Sequence, residues 1–354
     1  MKKIIQKLYL NGIINRDEII TIYEKIAGED LDRLMEAAYR RKFQNYGNKI
    51  FIRGLVEISS YCRRDCKYCG INRYNTRAER FRLSREEILE ACARGYDLGF
   101  RTFVLQGGED DYFTDDLVVS IIEELKGTYN DIALTLSLGE KAYESYERFY
   151  RAGADRYLLR HETINEELFK RIHRSSSYRR RIDSLFELKG LGFQEGAGFM
   201  VGIPGQTYAD LADDLLFLKE LQPAMVGLGP FLSHKDTVYG QEPNGSLRDS
   251  LISLALVRLL LPDILLPATT ALSTLDPRGR ELGFRAGANV IMPNLSPRDK
   301  VDKYSLYDNK LNTGIESAGQ IDRIRQDVEA MGYEIFVGRG DNIRRLEDDK
   351  RGKN

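Results

Sequence analysis

The chain has 354 residues with 53 Lys and Arg against 54 Asp and Glu, a net charge of −1, so no basic surplus points to nucleic acid. The longest apolar runs, such as 251–261 with Ser253 and Arg258 inside it, are too short for a bilayer span. No apolar stretch follows Lys2-Lys3, so a soluble cytoplasmic protein without membrane contact is expected.

Residues 1–49 read as a helical extension, with short helices at 16–26 and 31–42, expected to cover the end of the domain that follows. From residue 50, eight β-rich runs occur at 51–58, 102–106, 132–137, 156–160, 195–202, 225–229, 264–267 and 289–292. Helix-period segments lie between them near 85–99, 115–127, 140–152, 165–191, 207–221, 247–261 and 277–287. Ser84 and Thr207 stand where helix caps belong, and Gly192, Gly283 and Gly287 where helices should stop. Strand–helix alternation implies parallel strands joined by right-handed crossovers. Eight units predict an α/β fold, a (β/α)8 TIM-type barrel over 50–300. A short C-terminal α/β extension over 301–354 follows, with a helix at 316–331, a strand at 333–337 and a charged tail from Glu347.

Three of the four cysteines, Cys62, Cys66 and Cys69, form a C-x3-C-x2-C run after the first strand. A structural zinc site would use four ligands, usually in paired units, and none of His161, His173 and His234 has ligand spacing. A four-iron cluster takes four thiolates. Three leave one iron open, which can chelate the amino and carboxylate groups of S-adenosylmethionine (SAM). Cys92 sits in a helical pattern and reads as a buried small hydrophobe.

Barrel enzymes carry their chemistry on the loops after the strands. Those loops hold Gly107-Gly108-Glu109, Ser137, Glu162, Gly202 to Gly205, Thr269-Thr270 and Asn294. Gly107-Gly108 also fits a plain tight turn, and Glu162 a rim salt bridge. Among Arg179-Arg180-Arg181 only one can face inward by helical spacing.

The cysteine spacing, with Tyr68 before the last cysteine, resembles the signature of the radical SAM enzymes. Longer blocks, 105–110, 135–140, 154–163, 196–207, 267–272 and 287–294, resemble the HydE family of [FeFe]-hydrogenase maturases. The resemblance implies one [4Fe-4S] cluster on Cys62, Cys66 and Cys69. It implies SAM contacts from Tyr68, Gly107, Gly108, Glu109, Ser137, Glu162, Arg181 and Tyr304. It further implies a substrate cavity lined by Gln106, Thr135, Arg156, Arg160, Met225, Thr269, Thr270 and Tyr307. The implied substrate is an organometallic Fe(CO)2(CN)–cysteine species, with the maturases HydG and HydF and a low-potential electron donor as partners. Many members carry a second cluster on a C-x7-C-x2-C run after the barrel. Here those positions hold Asn312, Gln320 and Arg323, so a single cluster is predicted. A methylornithine synthase-like mutase (PylB) is the enzymatic alternative, and a non-catalytic iron–sulfur carrier the other. Sulfur insertion of the biotin synthase type needs further cysteines that the chain lacks.

Overall fold

The computed structural model describes residues 1–310 and 320–345. Asn312 and the tail from Glu347 lie outside the described residues.

The first barrel strand is broken at Arg53 into Lys49–Ile52 and Gly54–Ser59. The next four begin at Thr102–Gly107, Ala133–Ser137, Arg156–Leu158 and Gln194–Ala197. The sixth, Met225–Val226, completes a parallel six-stranded sheet in chain order. Upper extensions of the fifth and sixth strands, Met200–Val201 and Gly229–Pro230, pair separately.

The expected seventh strand at 264–267 survives only as parallel bridges from Leu265 to Met225 and from Pro267 to Val290. Proline has no N–H to donate, and the Leu266 amide goes instead to the Asn289 side chain at 2.9 Å. Val290–Ile291, the eighth strand, pairs with the first at Phe51 and Ile52, which closes the ring. Alternation along the strands sends Phe103, Leu105, Leu134 and Leu136 outward into the main apolar core under the helices.

One prediction about the periphery changes. Of the helices Lys2–Asn11, Arg16–Lys25 and Gly28–Tyr46, the end of the third reaches the barrel floor, where Tyr46 packs edge-on against Phe51 and donates to Asp263 O; the rest lie along the side. They form an outer layer on its flank, where Tyr23 meets Ser253 at 2.7 Å and Arg16 pairs with Asp213 at 2.6 Å. The barrel floor is closed by the C-terminal segment. Glu334–Phe336 adds to Lys49–Ile52 in parallel, after the helix Ile321–Ala330. Asp341 then accepts hydrogen bonds from Arg156 and Gln194, both at 2.7 Å, and Asn342 bonds Ala224 O and Asp263 O.

The segment expected as one helix over 165–191 is two, Glu166–Ile172 and Tyr178–Leu191. Serine hydroxyls compete with helical hydrogen bonds, and three stand at the break. The Ser175 N–H and Oγ both donate to Asp65, and Ser177 caps the second helix. This break brings His173 against the cysteine loop.

Candidate functional site

The cysteine loop leaves the first strand and returns at the helix Arg85–Asp97. One side chain organises it: Arg80 donates to the carbonyls of Ser60, Ile71, Asn72 and Asn75. Two neighbours must be glycine. A Cβ on Gly108 would stand 2.2 Å from Tyr61 O and 2.7 Å from Cys62 Cβ, and one on Gly70 would stand 2.2 Å from Ser305 O. Gly108 therefore lets the second strand's loop touch the cysteine loop directly.

The three sulfurs are gathered. Burial first, then the neighbouring Cys69 and Cys62 thiols, push the Cys66 thiol well above its ordinary value. Burial and then Cys62 push Cys69 up to about 12. Buried thiols that resist ionisation together suit a multi-iron centre, whose positive charge offsets three thiolates. The residues present therefore fit the implied cluster. Cys92 is buried in the helix Arg85–Asp97, packed as a small hydrophobe.

Beside the cysteines runs a charged chain of contacts. Arg64 donates to Glu109 at 2.5 Å, to Glu140 at 2.9 Å and to Ser175 O at 2.6 Å. Arg181 donates to Glu140 at 2.5 Å and to Arg160 O at 2.7 Å. Burial opposes the Arg181 charge, but Glu140 and Glu162 outweigh it and raise its pKa. Of the three arginines it is the one that faces inward. Glu109, whose carboxylate also accepts the Glu140 N–H, is engaged in this network and locks the loop.

Glu162 is different. Its φ of 68° is in the left-handed region, a conformation that non-glycine residues keep only where the surroundings impose it. Its Oε2 lies 3.0 Å from Arg160 Nη2 without forming a hydrogen bond. Arg160 Nε, Arg160 Nη2 and Glu162 Oε2 are all buried polar atoms without a hydrogen-bond partner. Such groups are rare unless a ligand or water completes them.

The inward positions of the upper barrel, including Leu55, Gln106, Ser137, Leu158 and Met292, keep partial exposure although they face the axis, so the barrel has an open central chamber. Thr269 lines it with an unpaired Oγ1, and Thr270 begins the helix Thr270–Leu275 beside it. Arg156, Met225 and Thr135 lie deeper, away from the mouth. Arg156 and Met225 belong to the floor, where Asp341 holds Arg156 and Arg53 donates to Met225 Sδ at 3.0 Å. Nε and Nη2 of Arg53, Nε and Nη1 of Arg156 and Thr135 Oγ1 are unpaired there. The structure thus divides the expected substrate residues between the mouth and a basic floor.

At the mouth, Gln106 donates to Tyr304 OH at 3.4 Å, and Tyr304 is buried beside Glu57. Its segment straps the opening: Gly70 N–H donates to Leu306 O, and Asp308 N–H to Ser233 O. Tyr307 is on this strap, half-buried. Lys310 latches it to Glu57 at 2.6 Å.

Sequence reasoning missed Arg64, Arg80, Glu140 and His173. Glu140 ended a matching block and Arg64 lies within the cysteine run, but neither has a local pattern that names a partner. His173 was read as an ordinary helix or loop histidine, and it stands 3.1 Å from Cys66 Sγ.

A closed parallel barrel with three clustered cysteines on its first loop defines a radical SAM enzyme. The sequence profile of the radical SAM superfamily matches residues 56–218. The [FeFe] hydrogenase maturase subunit HydE of Thermotoga maritima is 44% identical over 315 residues, 89% of each chain. The chain belongs to the HydE family of radical SAM enzymes, whose cofactors are a [4Fe-4S] cluster and SAM. The 3-methylornithine synthase of Methanosarcina acetivorans is 27% identical over 94% of this chain and 92% of its own. The crystal structure of methylornithine synthase (PylB) superposes with a TM-score of 0.81 at 24% identity, covering 94% and 97% of the two chains, which is a likeness of fold. No helix among the described residues is long and apolar enough to cross a membrane.

Proposed function

We propose that this chain cleaves SAM reductively and uses the 5′-deoxyadenosyl radical in assembly of the [FeFe]-hydrogenase di-iron subcluster. The radical would attack the cysteine sulfur of an Fe(CO)2(CN)–cysteine species received from a HydG-type maturase, with HydF downstream. A low-potential donor and a cytoplasmic location belong to the same reading. The observation that carries it is the 44% identity to HydE across 89% of both chains.

Cys62, Cys66 and Cys69 would hold the cluster, which when bound supplies the electron that splits the sulfonium C–S bond. Arg181, positive at the edge of the site, would face the SAM carboxylate. Glu162, whose Oε2 faces Arg160 but makes no hydrogen bond, would accept from the ribose hydroxyls, and Ser137 stands on the adjacent strand end. Gly107 and Gly108 would offer backbone acceptors to the SAM ammonium, while Glu109 holds that turn in place. Tyr68 packs against the cluster that contains Leu168 and Met200, an apolar wall that would keep water off the sulfonium. Below, Thr135, Arg156, Arg160, Met225, Thr269 and Thr270 would receive the substrate. Their unpaired donors suit its anionic cyanide and carboxylate groups. Gln106, Tyr304 and Tyr307 close the mouth over it.

In vitro maturation with the HydG product and SAM tests the proposal: new iron species and 5′-deoxyadenosine are expected together. SAM that stays intact with reduced, cluster-loaded protein would favour an iron–sulfur carrier. Methylornithine formed from lysine would favour the mutase. Anaerobic reconstitution is expected to give about four irons per chain, as one cluster requires.

A further inference from the structure

The helix break at 173–177 delivers one group for which the assignments above give no task. His173 is 3% exposed. Its Nδ1 lies 3.1 Å from Cys66 Sγ and its Nε2 lies 3.3 Å from Tyr68 OH. The ring is fixed on both faces of this geometry: it stacks on Phe169 at 4.8 Å and 27°, and meets the Tyr68 ring edge-on at 5.5 Å.

Chemistry then decides the tautomer. A neutral imidazole has one N–H and one bare nitrogen. A metal-bound Cys66 thiolate only accepts, so the nitrogen facing it must carry the proton. The Tyr68 hydroxyl can then donate to Nε2, which leaves no polar atom of the trio unmatched. The neighbouring backbone serves the other two cysteines instead, Arg64 and Glu109 at Cys62 and Ile71 at Cys69.

We propose that His173 is a positioning residue for the cluster, its Nδ1–H donated to the Cys66 sulfur and its Nε2 held by the Tyr68 hydroxyl, and that this bond raises the cluster's reduction potential. The proposal rests on the reading of Cys66 as a cluster ligand. Reduction adds negative charge that is shared with the thiolate sulfurs, so an N–H···S bond is stronger in the reduced form and favours it. The same bond fixes the Cys66 side chain at the C-terminal end of the helix Glu166–Ile172, and the Lys67 N–H to Ile172 O bond of 3.1 Å holds the two segments together.

The test compares His173→Phe and His173→Asn with the unaltered protein after anaerobic reconstitution. Iron is counted first, and the cluster is then titrated without SAM by dye-mediated reduction followed by electron paramagnetic resonance. Phenylalanine keeps the ring stack and removes the donor. Asparagine places an N–H near the position of Nδ1. With iron content unchanged, His173→Phe is expected to lower the reduced-to-oxidised ratio at fixed potential about tenfold, which is about 59 mV for a one-electron couple. His173→Asn is expected to recover at least half of that shift. A wild-type potential in fully loaded His173→Phe overturns the proposal. Electron spin-echo measurements on protein carrying ¹⁵N-labelled histidine add a readout that does not depend on the phenylalanine variant loading. A nitrogen coupling to the reduced cluster is expected, lost in His173→Asn, and its absence from the unaltered protein overturns the proposal. Failure of the unaltered protein to hold any cluster would instead overturn the reading of the cysteines.

Discussion

Arg80→Met separates the loop's organisation from its ligands. The substitution keeps the aliphatic stem and removes donation to four carbonyls: Ser60, Ile71 at 2.8 Å, Asn72 at 2.7 Å and Asn75 at 3.1 Å. Arg80 is half-buried, so water would reach some of these acceptors. At about 0.5–1.5 kcal/mol net for each bond, the folded loop would lose about 2–4 kcal/mol. Lysine could not substitute, because one ammonium has three donors and no fork. A loop that must fold before it binds loses affinity in proportion to its competent fraction, here about 30-fold to 1,000-fold. Hydrogen exchange on the metal-free protein reads the first half of the argument: peptides covering the cysteine loop should lose protection while barrel peptides keep theirs. Competition between the loaded protein and a chelator reads the second half, as earlier loss of iron. Wild-type protection together with wild-type iron retention in Arg80→Met would refute the reasoning.

Gly108→Ala should fail to hold iron while the barrel still folds, because its Cβ meets backbone and Cys62 Cβ rather than a movable side chain; full iron loading would show that the two loops can part. Glu162→Gln should leave iron content intact and weaken SAM binding about tenfold by calorimetry, since a neutral amide accepts more weakly than a carboxylate; unchanged affinity would remove Glu162 from the SAM site. Asp341→Asn addresses the floor. Burial resists the Asp341 charge, but Arg156, Gln194 and Arg339 overcome it and bring the carboxyl down to about 2. A depressed folded pKa contributes stability above the unfolded value of about 4 and loses it as pH falls toward 2. The wild type should therefore exceed Asp341→Asn by about 2 kcal/mol at neutral pH, and thermal melts should show the gap narrowing below about pH 4. A gap independent of pH would mean that the carboxylate charge is not what holds the floor.

What the sequence disclosed follows from the range of each interaction. The cysteine triplet is legible because its ligands lie within one short run, and the strand order because each βα unit repeats a local alternation. Ser84 and Thr207 cap their helices as read, since a cap is decided within three residues. The run at 264–267 pairs on both sides but only as single bridges, because Pro267 has no N–H to donate and the Leu266 amide is taken by the Asn289 side chain, which the local sequence does not reveal. One helix was read over 165–191 because Asp65, which draws Ser175 out of helical bonding, lies 110 residues away. The floor was invisible for the same reason. Residues 338–345 have the composition of a surface loop, and only the closed barrel shows that Asp341 answers a buried arginine.

Floor and mouth together constrain the order of events. The C-terminal segment seals the N-terminal ends of the strands, so among the described residues the chamber opens at the cysteine end. The unpaired donors of Arg53 and Arg156 and the Thr135 hydroxyl lie at the bottom of that chamber, whereas Glu162 and Arg181 stand near its top beside Cys66. On the proposed assignment SAM occupies the upper level, and a ligand bound for the lower level must pass that level first. The strap at 304–308, tied to both Gly70 and Ser233, narrows the alternatives at the rim. Substrate should then bind before SAM. In single-turnover experiments, protein loaded with substrate before SAM should form 5′-deoxyadenosine and product in one fast phase. Protein incubated first with SAM should show a lag set by SAM dissociation, lengthening as SAM is raised. Equal rates in both orders would mean that the chamber has a second entrance or that the substrate remains at the mouth.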